Sequence, residues 1–565
     1  VSDIMSYKFR SVDPTTTIED AVQKMLNKKF KYGIISAPQP EAVEVGLEIF
    51  EKGGNVVDVA IATALIQTVV DPQMCGIAGF GSLQMYLNDK RGHQAIDFYG
   101  RAPLSVKEDM WLDLIKKECD DGFGFVLEGR VNEFGYQCMT TPMTLKAFDF
   151  ALKKYGNFTL SQLLDPAIKY CNEGFSIRPK VHAFWMQPAQ AGRMARVSVV
   201  NHFPEAKKIY LDKDGNLLKV GDLLKNPDMG KTYKKIAQEG IEVFYEGSIA
   251  NKICQDMKKN GGLITKDDLQ SCEIEENSPL EGIYKGFDIF TNRPPGGGIM
   301  LIQMLNILEN FDLASLGHNS AKYISVVSEA MKYATIDKDK KVGDPKFIDV
   351  PVEELISKKY AKKLSDLIKS GEKANVARFD SSSIESKDTT HVSVVDTKGN
   401  AVSLTHSLGS SSGVITEGLG FMYNNCMMVF DPRPGRVGSL APGKARFTAM
   451  CPTILSKDGM PAMALGAPGG TTITMGVLQA ILNMVDFSMS AQDAVSAPRF
   501  CATSNVIELT NRIFRGVESE LNKEGYETRR YAASYVTPIV HAIRLLDGKL
   551  DGGADPAGDG MAALN

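Results

Sequence analysis

The residues around Thr389 have the types and spacing for nucleophilic chemistry. A polar, acidic stretch over residues 381–388 runs directly into Thr389, which opens a run rich in β-branched residues. If the peptide bond between Asp388 and Thr389 is cut, Thr389 gains a free α-amine beside its hydroxyl. Threonine alone is a weak nucleophile, and an amine that accepts its proton activates it. On local sequence alone, Thr389 and Thr390 are more ordinarily explained as residues that begin a strand.

The elements that must position Thr389 are predicted by alternating polarity. Residues 390–395 alternate between two faces of an extended chain: Thr390, Val392 and Val394 on one face, His391, Ser393 and Val395 on the other. A turn signal at residues 397–400 reverses the chain into residues 401–408. The pattern therefore predicts a β-hairpin that begins beside the candidate nucleophile.

Helices and strands are predicted to alternate from residue 33 to the C-terminus, with no repeat or low-complexity linker. Residues 40–52 predict a helix that stops at Gly53-Gly54, and residues 55–70 are apolar almost all round, which predicts a buried helix. A glycine-rich turn leads into a strand predicted over residues 83–87. Residues 1–33 differ: they resemble half of a CBS repeat, but a half-repeat could not bury its own face, which favours an accessory segment with a surface helix over residues 17–29.

Composition excludes several functional classes. The 565 residues carry 64 Lys and Arg against 68 Asp and Glu, a net charge of -4, so we expect neither a nucleic-acid nor a membrane partner. The nine Cys have no paired spacing, no HExxH motif occurs and the seven His are dispersed, so we expect no metal site. The N-terminus lacks an apolar signal core, which favours a cytoplasmic protein unless a leader precedes this sequence. A homo-oligomer remains open.

Residues 389–396 and 399–402 resemble the start of the small subunit of the γ-glutamyltranspeptidase family, N-terminal-nucleophile hydrolases that cleave themselves at this threonine. Further segments similar to the family occur in the family's order: residues 53–58, 97–103, 244–247, 261–267, 343–345, 468–470, 497–499 and 555–560. The resemblance extends from about residue 33 to the C-terminus. It implies an α+β fold, the αββα sandwich of two mostly antiparallel sheets covered by helices.

The resemblance also implies roles for individual residues. Cleavage between Asp388 and Thr389 would give a large portion, residues 34–388, and a small portion, residues 389–565, which together form one domain. Thr389 is then the nucleophile, and Ser407 stands where the family has a second hydroxyl that orients it. Gly469 and Gly470 match the pair whose backbone N–H groups form the oxyanion hole. This chemistry needs no cofactor.

Substrate recognition is where the sequence departs from the family. The family holds the γ-glutamyl carboxylate and ammonium with an Arg, a Ser-Ser pair, an Asn, a Gln and an Asp. The corresponding residues here are Tyr99, Thr448-Ala449, Gly409, Cys426 and Val429. Because an ion without a partner is costly to desolvate, we expect poor binding of γ-glutamyl groups. Arg101 could supply a replacement cation, and Arg101, Thr448 and Cys426 are the predicted substrate-binding residues.

These observations predict an autoprocessing amidohydrolase or acyltransferase that forms an acyl-enzyme on Thr389. Its substrate would be a small amide or peptide, with water or an amine as acceptor, and its donor would not be a standard γ-glutamyl compound. Two alternatives remain at this point. One is a genuine γ-glutamyltranspeptidase or glutathione hydrolase, and the other is an unprocessed, non-enzymatic scaffold.

Overall fold

A computed structural model describes residues 32–89, 92–120, 122–377, 389–535, 538–546 and 549–564. The predicted helix over residues 17–29, nearly all of the accessory segment 1–33, and the polar stretch that ends at Asp388 lie outside the described residues. Gly33 already belongs to the first strand of the central sheet.

The strands of the described residues are numbered in chain order. They are β1 Gly33–Ala37, β2 Phe80–Leu87, β3 Gly92–Phe98, β4 Ile115–Glu118, β5 Phe125–Leu127, β6 Phe175–Ser176, β7 Leu223–Leu224, β8 Glu275–Asn277, β9 Leu280–Tyr284, β10 Phe287–Thr291, β11 Thr390–Asp396, β12 Ala401–Ser407, β13 Thr453–Lys457, β14 Met460–Gly466, β15 Phe500–Cys501, β16 Val506–Leu509, β17 Glu527–Arg530, β18 His541–Leu546, β19 Lys549–Ala554 and β20 Met561–Leu564.

The α-helices of the same residues are numbered in the same way. They are α1 Pro40–Glu51, α2 Val56–Val70, α3 Thr144–Tyr155, α4 Leu160–Glu173, α5 Pro179–Trp185, α6 Arg196–Val200, α7 Pro204–Tyr210, α8 Pro227–Glu239, α9 Glu242–Tyr245, α10 Ser248–Lys259, α11 Lys266–Gln270, α12 Gly298–Leu308, α13 Leu313–Leu316, α14 Ala321–Lys341, α15 Val352–Leu355, α16 Lys358–Lys369, α17 Ile473–Val485, α18 Ala491–Ser496 and α19 Arg515–Lys523. Short 3₁₀ turns occur at Leu112–Leu114, Glu128–Arg130, Cys426–Val429 and Gly470–Thr472.

Two antiparallel sheets form the centre of the fold. The first has the strand order β20-β1-β11-β12-β2-β3-β8 and the second the order β19-β18-β14-β13-β10-β9. Each sheet takes strands from both sides of residue 389, so the two halves of the chain build one shared core. The β11–β12 hairpin lies in the interior of the first sheet, paired with β1 and β2.

The two sheets pack face to face, and helices cover their outer faces. Ser403 in β12 links the sheets, because its Oγ donates to the Leu465 carbonyl at 2.9 Å and accepts from the Thr453 N–H at 3.1 Å. Val392 and Val394 of β11 point the other way, into a core shared with α1, α2 and α4. A second core joins the other sheet to α12, α14 and α17. The predicted αββα sandwich is therefore confirmed.

The local predictions around the first sheet are also confirmed. The hairpin spans Thr390–Asp396 and Ala401–Ser407, and its alternation is as expected, with Val395 facing the second sheet. Every residue of α2 is buried, as its pattern of apolar residues on almost every side predicts. Asn55 caps this helix and forms a capping box with Asp58, which fixes where the helix starts. The strand predicted at residues 83–87 begins three residues earlier, at Phe80.

Candidate active site

The β11–β12 hairpin places Thr389 beside Ser407. Thr390 pairs with His406, so the residues just beyond this pair meet at the same end of the sheet. Thr389 Oγ1 donates to Ser407 Oγ at 3.3 Å, and Ser407 Oγ accepts from the Gly409 N–H at 2.8 Å. Thr389 is only 4% exposed. Because the Gly409 N–H holds the Ser407 hydroxyl in place, that hydroxyl can fix the rotamer of Thr389.

Two glutamines anchor the start of β11 to the helical layer. Gln39, at the N-terminus of α1, and Gln67, in α2, both donate to Thr390 Oγ1, at 3.1 and 3.0 Å. Gln67 also donates to the His391 carbonyl at 3.1 Å. These buried bonds restrain the residue that follows Thr389. Sequence analysis did not single out these glutamines, although Gln67 interrupts an otherwise apolar helix and was a detectable signal.

Thr389 and Ser407 line a cavity with about 540 Å³ of empty space, which includes space open to solvent. Its described lining residues are Phe80, Phe123, Arg193, Thr389, Ser407, Gly409, Ser410, Asn425, Met428, Val429, Arg446, Thr448, Ala449, Met450, Gly470, Thr471 and Ile473. The candidate nucleophile is thus not walled off, and one of the two candidate oxyanion-hole glycines lies on the same cavity.

Gly469 and Gly470 adopt backbone conformations that favour glycine, with φ of +150° and +58°. They lead into the 3₁₀ turn and then α17, so their amides lie at the positive end of a helix dipole. Within the described chain, neither backbone N–H donates a hydrogen bond. Gly469 packs tightly on Pro538, and a Cβ added at Gly469 would lie 2.7 Å from the proline Cβ. Gly470 therefore brings to the threonine cavity one backbone donor that is unpaired among the described residues, and Gly469 directly precedes it in the chain.

The predicted substrate-binding residues divide into two groups. Thr448 lines the cavity, as do Gly409, Ala449 and Val429, which replace polar residues of the family. Cys426 is fully buried and is not on the cavity wall, and burial raises the pKa of its thiol to about 11. Cys426 is therefore a neutral group behind the wall, and the structure does not place it in contact with a substrate.

Arg101 requires a correction. The guanidinium does not line the cavity; it forms ion pairs with Glu275 and with Asp344, the latter at 3.2 Å, and donates to the Gly443 carbonyl. Asp344 also accepts from the Ala445 N–H at 2.7 Å. Arg101 therefore holds the segment around residues 443–445 in place, and its charge is already paired with two carboxylates. Sequence proximity to the family's arginine was misleading because the side chain points into this network.

The charge of the cavity wall is positive. Arg193 and Arg446 line it, and among the described lining residues there is no Asp or Glu. Neither arginine was among the substrate-binding residues predicted from the sequence. The described residues contain no group of three or more His, Cys, Asp and Glu placed to hold a metal ion. No described helix is long and apolar enough to cross a membrane.

A sandwich of two antiparallel sheets between helical layers, with a strand-initial threonine on a cavity, is the arrangement of the N-terminal-nucleophile hydrolases. The chain belongs to the gamma-glutamyltranspeptidase family, whose model matches residues 42–564. The resemblance stated from the motifs is therefore confirmed.

Relatives with two kinds of name match this chain. It is 36% identical over 536 residues to the acylase ACY 1 proenzyme of Pseudomonas sp. (strain V22), covering 94% of this chain and 92% of that protein. It is 35% identical over 487 residues to the glutathione hydrolase proenzyme of Escherichia coli (strain K12), covering 83% and 81%. The cephalosporin acylase structure from Bacillus halodurans superimposes with a TM-score of 0.83 at 25% identity, covering 99% of this chain and 98% of that one.

These relatives identify the chain as an enzyme, an autoprocessing hydrolase or acyltransferase of this family. The alternative of a non-enzymatic scaffold is thereby set aside.

Proposed function

We propose that Thr389 is freed as a new N-terminus and then acts as the acyl-accepting nucleophile. The observation that carries this proposal is the Thr389–Ser407 hydroxyl pair, 3.3 Å apart, on a cavity shared with Gly470. In maturation, Thr389 Oγ1 attacks the Asp388 carbonyl carbon, and the peptide C–N bond breaks as the acyl group moves to oxygen. Water then hydrolyses this ester, which leaves an Asp388 carboxylate and a free α-amine on Thr389.

Each turnover uses the same groups on an external amide. The α-amine of Thr389 accepts the hydroxyl proton as Oγ1 attacks the acyl carbon, with Ser407 holding the hydroxyl in line. The N–H groups of Gly469 and Gly470 stabilise the negative oxygen of the tetrahedral intermediate. The leaving amine departs with the proton, and water or another amine then attacks the ester and releases the acyl group.

The cavity wall favours an acyl donor that lacks an α-ammonium group. A γ-glutamyl group brings both a carboxylate and an ammonium, and no described acidic residue on the wall can pair with the ammonium. An ion desolvated without a partner costs several kcal/mol. Three positions where the family has polar ligands for the γ-glutamyl group are Gly409, Val429 and Ala449 in this chain. None of these side chains can bind the carboxylate or the ammonium of that group. We therefore propose an acylase-type activity, with glutathione hydrolysis as the second candidate.

A matched pair of chromogenic donors tests this specificity. Glutaryl-p-nitroanilide differs from γ-glutamyl-p-nitroanilide only by the missing α-amino group. We expect kcat/KM for the glutaryl donor to exceed that for the γ-glutamyl donor by about tenfold or more, because only the γ-glutamyl donor leaves an ammonium unpaired. Initial rates of nitroaniline release at pH 7 measure both values. A preference for the γ-glutamyl donor would contradict the acylase-type activity and support the second candidate, hydrolysis of γ-glutamyl compounds such as glutathione.

A further inference from the structure

Arg446 is a buried cation that the described structure leaves without an ionic partner. The residue is 9% exposed and lines the same cavity as Thr389. Its Nε has no hydrogen-bond partner, and no ion pair to its guanidinium occurs within the described residues. Arginine keeps its charge in proteins, and an unpaired buried charge destabilises the free fold by several kcal/mol. A buried, unpaired cation on a cavity wall indicates that a bound ligand supplies the missing negative charge.

The guanidinium is held in a defined orientation. It lies over the Phe80 ring, with 4.8 Å between the guanidinium carbon and the ring centroid. The Arg446 backbone N–H donates to the Gly100 carbonyl at 3.2 Å, and the network of Arg101 and Asp344 fixes the preceding residues. A planar guanidinium stacked on a ring presents its edge, which is the geometry that binds a carboxylate through two parallel bonds.

Arg446 is adjacent to the catalytic end of the sheet. Phe80, on which it stacks, is the cross-strand partner of Ser407 in the pairing of β2 with β12. Cross-strand partners project on the same face, so Thr389, Ser407, Phe80 and Arg446 form one continuous wall. An acyl group on Thr389 would extend along this wall toward the guanidinium.

The surroundings of Arg446 do not neutralise it. Burial lowers the pKa of the guanidinium from its ordinary value, and the Cys426 thiol is the group that opposes this shift. That thiol has a pKa of about 11 and is uncharged near pH 7. An anionic group on a ligand would therefore be the compensating charge.

We propose that Arg446 binds a carboxylate at the far end of the acyl group, so that the donors are amides of dicarboxylic acids. This inference rests on the proposed function, because it places the bound acyl group on Thr389. It assigns to Arg446 the role that sequence analysis gave to Arg101, and it makes Arg446 the residue that determines donor specificity.

Two donors that differ only in this carboxylate test the assignment. Glutaryl-p-nitroanilide and pentanoyl-p-nitroanilide have acyl chains of the same length, and only the glutaryl chain ends in an anion. For the wild-type enzyme we expect kcat/KM to favour the glutaryl donor by roughly 10- to 100-fold, the range for a charge-assisted contact. In Arg446→Gln the ratio should fall to near 1, mainly through KM, and Arg446→Lys should retain part of it because a charge remains.

Lys444 supplies a matched control. It is a buried cation two residues earlier, it bonds the Val437 carbonyl at 2.9 Å, and it does not line the cavity. Lys444→Gln should therefore keep the wild-type donor ratio. A ratio near 1 in the wild-type enzyme, or an equal loss on both donors in Arg446→Gln, would overturn the assignment.

A binding measurement on the wild-type enzyme keeps the assignment testable if Arg446→Gln is inactive or poorly folded. Glutarate should raise the Tm of the mature wild-type enzyme more than pentanoate does, because it adds a bond to Arg446. Equal shifts from the two acids would count against the assignment. Release of nitroaniline from the pentanoyl donor reports acyl transfer independently of Arg446. If neither donor releases nitroaniline, the proposed function fails. If both donors are turned over at equal rates, only the Arg446 assignment is refuted.

Discussion

Thr389→Ala is expected to leave the protein as one uncut chain without amidase activity. The substitution removes the oxygen that attacks Asp388 in maturation and the acyl carbon in turnover, and neighbouring hydroxyls lack an α-amine of their own. The methyl group fits where the threonine side chain was, so the fold should persist. Intact-mass spectrometry should give a single species of 61.7 kDa, while the wild-type protein gives two pieces that divide before residue 389.

Thr389→Ser is the control for this change, since it keeps both the hydroxyl and the potential α-amine. It should still mature, at a reduced rate, and retain measurable turnover. Cleavage of the alanine variant at the same bond would show that Thr389 does not drive maturation. Full activity in the uncut variant would show that it is not the nucleophile.

Gly469→Ala is expected to lower kcat by roughly 10²- to 10³-fold, the effect of losing an oxyanion-hole donor. The φ of +150° is strained for alanine, and the new Cβ would lie 2.7 Å from the Cβ of Pro538 and 2.8 Å from its Cα. The loop must therefore shift, which moves the N–H groups of both glycines. Because these groups act on the transition state, kcat should fall with little change in KM. Steady-state kinetics with the better nitroanilide donor measures both constants.

Gly459→Ala provides the comparison for backbone strain alone. Gly459 also has a positive φ, +78°, but lies in the turn between β13 and β14, where a Cβ added to it would meet no atom within 4 Å. Its substitution should cost stability and leave kcat close to the wild-type value. If both alanine variants lose activity by the same factor, the effect of Gly469 would be one of folding and not of oxyanion stabilisation.

Local patterns were sufficient to predict the parts of the fold that depend on local physics. The period-two alternation of residues 390–395 predicted which side chains share a face, since each face of a strand is fixed by its pleat. The structure shows that the Val392 and Val394 face packs on the helices and that Val395 packs on the second sheet. The apolar residues on almost every side of α2 predicted a buried helix. The sandwich itself came from the resemblance to the family, because the pairing of β1 with β20 joins residues from opposite ends of the chain.

The charged wall of the site could not be predicted in the same way. The sequence pointed to Arg101 as the cation of the site, and only the three-dimensional structure shows that two carboxylates hold Arg101 while Arg446 lines the cavity. The direction of the Arg101 side chain depends on its ion pairs with Glu275 and Asp344, which are far away in sequence. The same holds for Gln39, which reaches Thr390 from a helix cap 351 residues away.

Locating the acyl group during turnover tests the central claim most directly. The mature enzyme is mixed with the preferred nitroanilide donor, quenched in acid within the steady state, digested and analysed by mass spectrometry. The account predicts a peptide that begins at Thr389, carries the mass of the acyl group on its side-chain oxygen, and loses that mass in hydroxylamine. An unmodified Thr389 with the acyl group on another residue, or a Thr389 still joined to Asp388 in active enzyme, would contradict it.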